Sequence, residues 1–123
     1  MKITLKTLPV ATAQEVFDQV ATHLLNQDAR SMLNSKCLYR FGKLKCAAGC
    51  LIGEDEYNEN FESVNWGGLV RNCQVPPEHE ELISDLQSLH DSVFLGAWPY
   101  RLRGVARDHG LNVNVVETFK KAV

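Results

Sequence analysis

The fold predicted by the 123 residues is α+β: a mostly helical single domain with three main helices, a short helix and a small β-hairpin. Three observations carry that expectation. Apolar residues recur at helical spacing in three separate segments, and one stretch reads as two short strands around a Gly-Lys turn. The chain also shows no repeat, low-complexity tract or linker that would divide residues 1–123. A composition of 45% hydrophobic and 23% charged residues suits one core, and a chain of this size buries enough apolar surface to fold without a metal or a disulfide as a staple.

At the start, Ile3 and Leu5 alternate with Lys2, Thr4 and Lys6, the pattern of a short strand with one covered face, with an unattached tail as the alternative. Thr12 and Glu15 then make a capping box, in which hydroxyl and carboxylate satisfy the free amides of a first helical turn. Val16, Phe17, Val20 and Leu24 follow at helical spacing, predicting a helix over roughly 13–27. In "LYRFGKLKC", Gly42-Lys43 is the Gly-X pair favoured by a type II′ hairpin. Phe41 then faces Leu44, and Arg40 faces Lys45. Two like charges in a cross-strand pair repel unless an anion sits beside them.

"CAAGCLIG" places Cys46 and Cys50 four residues apart before Gly53, a short helix, and "VNWGGLVRNCQVPP" has the Gly-Gly and Pro-Pro punctuation of an ordered loop. Leu82, Ile83, Leu86, Leu89 and Val93 mark a second long helix, with Glu78, Glu80 and Glu81 in its first turn, where the dipole favours anions. Pro99, Leu102, Val105, Ala106 and the stop residue Gly110 mark a third. The tail from Asn112 to Val123 is too short for periodicity to decide between strand and helix. The predicted core comprises Val16, Phe17, Val20 and Leu24, the apolar residues 82, 83, 86 and 89, and Leu102 and Val105.

A net charge of −2 disfavours a duplex nucleic-acid binder, which works by neutralising many phosphates. No apolar run is long enough for a membrane span, and "MKITLKTLPV" lacks the apolar centre of a secretory signal. The expectation is a cytoplasmic protein with reduced cysteines. Cys37, Cys46, Cys50 and Cys73, or three of them with His79 or His109, are the alternative as a zinc site, though only Cys46 and Cys50 have a spacing near that of a zinc knuckle. Cys46 is also the candidate for a thiol nucleophile at a helix start. A base for it is not identifiable among His23, His79, His90 and His109, and the neighbours His90 and Asp91 are expected to point apart. No hydrolase elbow, zinc-protease motif, phosphate-binding loop or dinucleotide fingerprint occurs, and no cofactor is expected.

Two basic groups remain as candidate binding residues: Arg40, Lys43 and Lys45 on the hairpin, and Arg103 with Arg107, four apart on the last long helix. Trp66, beside Gly67-Gly68, is the aromatic candidate for the same interface. "CLYRFGKLKCAAGCLI", then "EDEY", "LISDLQSLHDS" and "LRGVARDHGL" resemble a family of small uncharacterised proteins of phages, prophages and bacteria, over roughly residues 14–111. The resemblance implies a small accessory protein acting on a host component in the host cytoplasm; it supplies no catalytic residue or cofactor and leaves the chemistry open. The expected function is therefore a non-enzymatic module that binds a host protein or sequesters a small anionic ligand. A cysteine- or zinc-dependent enzyme centred on Cys46 and Cys50 is the alternative, and self-association is a third possibility.

Overall fold

The computed structural model describes residues 2–120. The first helix, α1 (Ala13–Gln27), begins at the predicted capping box. The Glu15 amide donates to Thr12 Oγ1 at 3.1 Å, and the Thr12 amide donates to Glu15 Oε1 at 2.8 Å. It stops at Asp28, which is left-handed (φ 49°) and returns its amide to the Leu24 carbonyl at 2.9 Å. Val16, Phe17, Val20 and Leu24 all point into the core.

Residues 2–7 do not form the expected strand. Their backbone groups are satisfied by side chains instead. Gln19 accepts from the Ile3 amide at 2.6 Å and donates to the Ile3 carbonyl at 3.0 Å, while the Glu56 carboxylate takes the amides of Leu5 and Lys6 at 2.9 and 3.2 Å. With those bonds made locally no partner strand is needed, and the chain passes through a turn into a 3-10 helix at Leu8–Val10.

Two hairpins follow rather than one. The first, β1 (Met32–Leu33) with β2 (Lys36–Cys37), turns through Asn34 and Ser35. Both have positive φ (52° and 67°), the pattern of a type I′ turn. The second, β3 (Arg40–Phe41) with β4 (Leu44–Lys45), has the predicted register: Phe41 faces Leu44 and Arg40 faces Lys45. Of its two turn residues only Gly42 has positive φ (62°), as a type II′ turn requires. The short helix after it is a 3-10 helix, Ala48–Leu51. Gly49 is obligatory there: a Cβ would lie 2.1 Å from the Tyr39 carbonyl oxygen, so only hydrogen lets the hairpin seat on this turn.

The predicted loop around Gly67-Gly68 contains a helix, α2 (Trp66–Arg71). Asn65 Oδ1 caps it by accepting from the Gly68 amide at 2.8 Å. The glycines there serve close packing rather than chain reversal, because a Cβ on Gly68 would meet Val64 Cγ1 at 2.7 Å. The second long helix, α3 (Glu80–Ser92), leaves Glu78 outside its first turn, while α4 (Trp98–Asp108) carries Pro99 in its first turn and is followed by left-handed Gly110 (φ 68°). The tail forms a one-turn helix, α5 (Asn114–Thr118), and residues 121–123 of that tail lie outside the described residues.

One core joins these parts: α1 packs on α3, α4 and α5, α3 packs on α2 and α4, and the 3-10 helix at Ala48–Leu51 sits against both α1 and α3. All the predicted core residues are buried except Val105, which is partly exposed at the edge of α4. Leu8, Leu69, Trp66 and Trp98 join them, each side chain contributing about 1.5–3 kcal/mol of burial. Among the described residues no helix is long and apolar enough to cross a membrane.

Candidate functional site

The two basic groups have different surroundings. On the hairpin, Arg40 and Lys45 share one carboxylate: Glu54 Oε2 lies 2.8 Å from Arg40 Nη1, and Oε1 lies 3.0 Å from Lys45 Nζ. Glu54 is the anion that the like-charged pair requires, and Lys45, then Arg40, hold its carboxyl below the usual range. The Arg40 guanidinium also lies over the Tyr57 ring at 4.2 Å. Both charges are occupied within the chain, and Lys43 at the turn is exposed.

The outward face of α4 differs. Tyr100, Arg103, Gly104 and Arg107 follow at helical spacing, opposite the buried Trp98, Leu102 and Ala106, in a stripe about 10 Å long. Tyr100 is 73% exposed, and Phe94, just before the helix, is 71% exposed. Among the described residues neither Arg103 nor Arg107 forms an ion pair within 4.0 Å. Arg101 stands to one side, in a separate cleft with Asp85 and Asp108.

Trp66 does not belong with these residues. It is 1% exposed and packs edge-on against Tyr39 at a ring separation of 6.4 Å, so it is a core residue that a partner cannot touch. It opens α2, which Asn65 caps, and is buried there together with Gly68 and Leu69.

The cysteines are not gathered into one ligand set. Cys46 and Cys50 are buried. Cys46 Sγ accepts from the Gly49 amide at 3.2 Å, and the Cys50 thiol donates to the Ala47 carbonyl at 3.2 Å. Burial pushes both thiols up, Cys50 to about 12 and Cys46 further, the opposite of what a thiolate nucleophile needs. Cys37 is raised to about 11, first by desolvation and then by Asp91, and Cys73 is exposed. His79 donates to the Ala11 carbonyl at 2.7 Å, and His109 meets Asp85 at 2.7 Å.

Among the described residues, the group of three potential metal ligands whose donor atoms lie within 4.8 Å of one another is Cys37, His90 and Asp91. Here the expectation that His90 and Asp91 diverge is corrected: His90 Nδ1 lies 2.7 Å from Asp91 Oδ1. Their Cα–Cβ directions differ by about 100°, but each side chain is drawn to one place by other elements, Asp91 by Gln87 and Cys37, His90 by the β1 approach. On its other side, His90 Nε2 accepts from the Ser31 amide at 3.1 Å, which assigns the ring proton to Nδ1 and to the bond with Asp91. A metal on Nδ1 would displace that proton, and Nε2 has no room for it while Ser31 donates there. With Arg30 bonding the His90 carbonyl at 3.0 Å and the Trp98 ring at 5.7 Å, His90 is a buried polar node that ties the hairpins to α3. Comparison with family models, with curated proteins and with solved structures finds no match for this chain, so its functional reading rests on this geometry.

Proposed function

We propose that this protein is a non-enzymatic binding module and that the outward face of α4 docks an acidic segment of a partner protein. The observation that carries the reading is the pairing of two guanidinium groups without an ion pair among the described residues, Arg103 and Arg107, with an exposed tyrosine on one helical stripe. Arg and Tyr are the residues most enriched where interfaces concentrate their binding energy, and a stripe of this length matches about two turns of a facing helix or a short extended acidic strand. A second copy is a poor occupant of this face, because a two-fold contact through it would set arginine against arginine. The resemblance to phage and bacterial accessory proteins makes a host protein the natural partner. The high thiol values at Cys46 and Cys50 and the occupied nitrogens of His90 count against the enzymatic alternative.

A fluorescent polyglutamate peptide at low ionic strength tests the reading by anisotropy. The wild-type protein is expected to bind it. Arg103→Glu/Arg107→Glu is expected to abolish binding, and Arg40→Gln/Lys45→Gln to retain it. No binding by the wild type, or equal binding by the α4 variant, would overturn the proposal.

A further inference from the structure

Gly104 sits in the interior of α4, where glycine supports a helix less well than alanine because the unfolded chain keeps more freedom. Its backbone does not call for glycine: the positive-φ glycines among the described residues are Gly42 and Gly110. Nor does its packing. A Cβ at Gly104 would meet only the end of the Arg107 side chain, Nη2 at 3.6 Å, an ordinary contact with a movable group. At Gly49 and Gly68 the same atom would run into the Tyr39 carbonyl at 2.1 Å and Val64 at 2.7 Å, so those glycines serve the chain's own packing. Nothing among the described residues requires the missing side chain at 104, which leaves whatever approaches the helix from outside.

The space in front of Gly104 has defined walls. Tyr100, Arg103, Gly104 and Arg107 stand at positions i, i+3, i+4 and i+7, the corners of the hole into which a facing segment inserts one side chain. With glycine at one corner the hole becomes a notch that reaches the helix backbone. Tyr100 walls one end, and it and Phe94, at 73% and 71%, are the most exposed aromatic side chains among the described residues. The Arg107 guanidinium borders the notch, and no ion pair among the described residues holds it or Arg103 in place. A movable guanidinium and a phenol ring around one notch favour an aromatic guest, through cation–π contact and offset or edge-on ring packing.

Building on the α4 reading above, we infer that the acidic segment docked there carries one aromatic residue among its carboxylates. Its ring seats in the notch over Gly104, and the carboxylates meet Arg103 and Arg107. The charges attract acidic sequences in general, whereas the notch selects among them, because an all-acidic segment has no ring to desolvate there.

The test compares two fluorescent peptides by anisotropy: polyglutamate, and the same peptide with its central glutamate replaced by phenylalanine. The wild-type protein is expected to bind the second about tenfold more tightly, the gain from partly burying one ring. Gly104→Leu, which fills the notch and keeps both arginines, is expected to bind the two peptides alike. Gly104→Ala is expected to cut the preference to about threefold and, because alanine suits the helix better, to raise the melting temperature by about 3–5 °C. Equal binding of both peptides by the wild type, or a preference kept by Gly104→Leu, would overturn the inference and leave the acidic-segment reading standing. Binding of neither peptide would remove that reading and the inference with it. A lower melting temperature for Gly104→Ala would also overturn the inference, by showing that the fold itself needs this glycine.

Discussion

The β3–β4 hairpin and α4 each carry a basic pair, Arg40 with Lys45 and Arg103 with Arg107, that looks equivalent in sequence, and the fold treats the two pairs oppositely. Arg40 and Lys45 are closed onto Glu54, a residue outside the hairpin, whereas Arg103 and Arg107 face outward beside Tyr100 with no ion pair among the described residues. The difference shows that a basic pair is a docking surface only if no other segment delivers a carboxylate to it. Spacing along one element cannot reveal that, because the delivering residue is placed by tertiary structure.

The largest effect is expected from Gly49→Ala. Its methyl group would meet the Tyr39 carbonyl at 2.1 Å, so the hairpin must lift from the 3-10 helix or the helix must shift, at a cost of about 3 kcal/mol. Calorimetry should show a large fall in melting temperature, and Arg40 should lose Glu54 as the strand moves. An unchanged melting temperature would mean that the hairpin is not seated as described. The α4 stripe has no such support and should be unaffected.

A pH series sharpens the comparison, because His23 holds the Lys45 carbonyl behind the hairpin. Its folded value is lowered, so the unfolded chain takes up the proton first as pH falls. Stability is therefore complete above about 6.5 and declines below it toward the lower folded value. His23→Gln, which keeps a donor without a titrating ring, is expected to flatten that decline in melts between pH 7 and pH 5. A wild-type profile that is already flat would refute the role of His23. The smallest change in stability belongs to Glu54→Gln, since the bridge it removes is exposed. Its informative readout is binding: release of Arg40 and Lys45 should turn the hairpin into a second site for polyglutamate, and no gain over wild type would mean that Glu54 does not control those charges.

Local chemistry made much of the fold legible. The Thr12–Glu15 box, the Gly42 turn and the apolar spacing of α1, α3 and α4 each contain their own instructions within a few residues. What escaped were features decided at a distance. Asn34-Ser35 is a hairpin turn without glycine, and Gly67-Gly68 sits inside a helix because Asn65 caps it and Val64 packs against it. Residues 2–7 alternate like a strand, yet their amides go to Gln19 and Glu56. The site was legible to the same degree: the arginine stripe follows from the helical period, whereas the burial of Trp66 and the His90–Asp91 contact depend on elements distant in sequence.

The Glu56 clasp on Leu5 and Lys6 bears on the order in which the chain assembles. These bonds join residues 51 and 50 positions apart, while α1 closes its own cap within four. During synthesis α1 can therefore form early and offer Gln19 to Ile3, but the amides of Leu5 and Lys6 meet their acceptor only once residue 56 has emerged, and loop closure delays that contact further. The stretch around Leu5 and Lys6 is thus among the later pieces to settle.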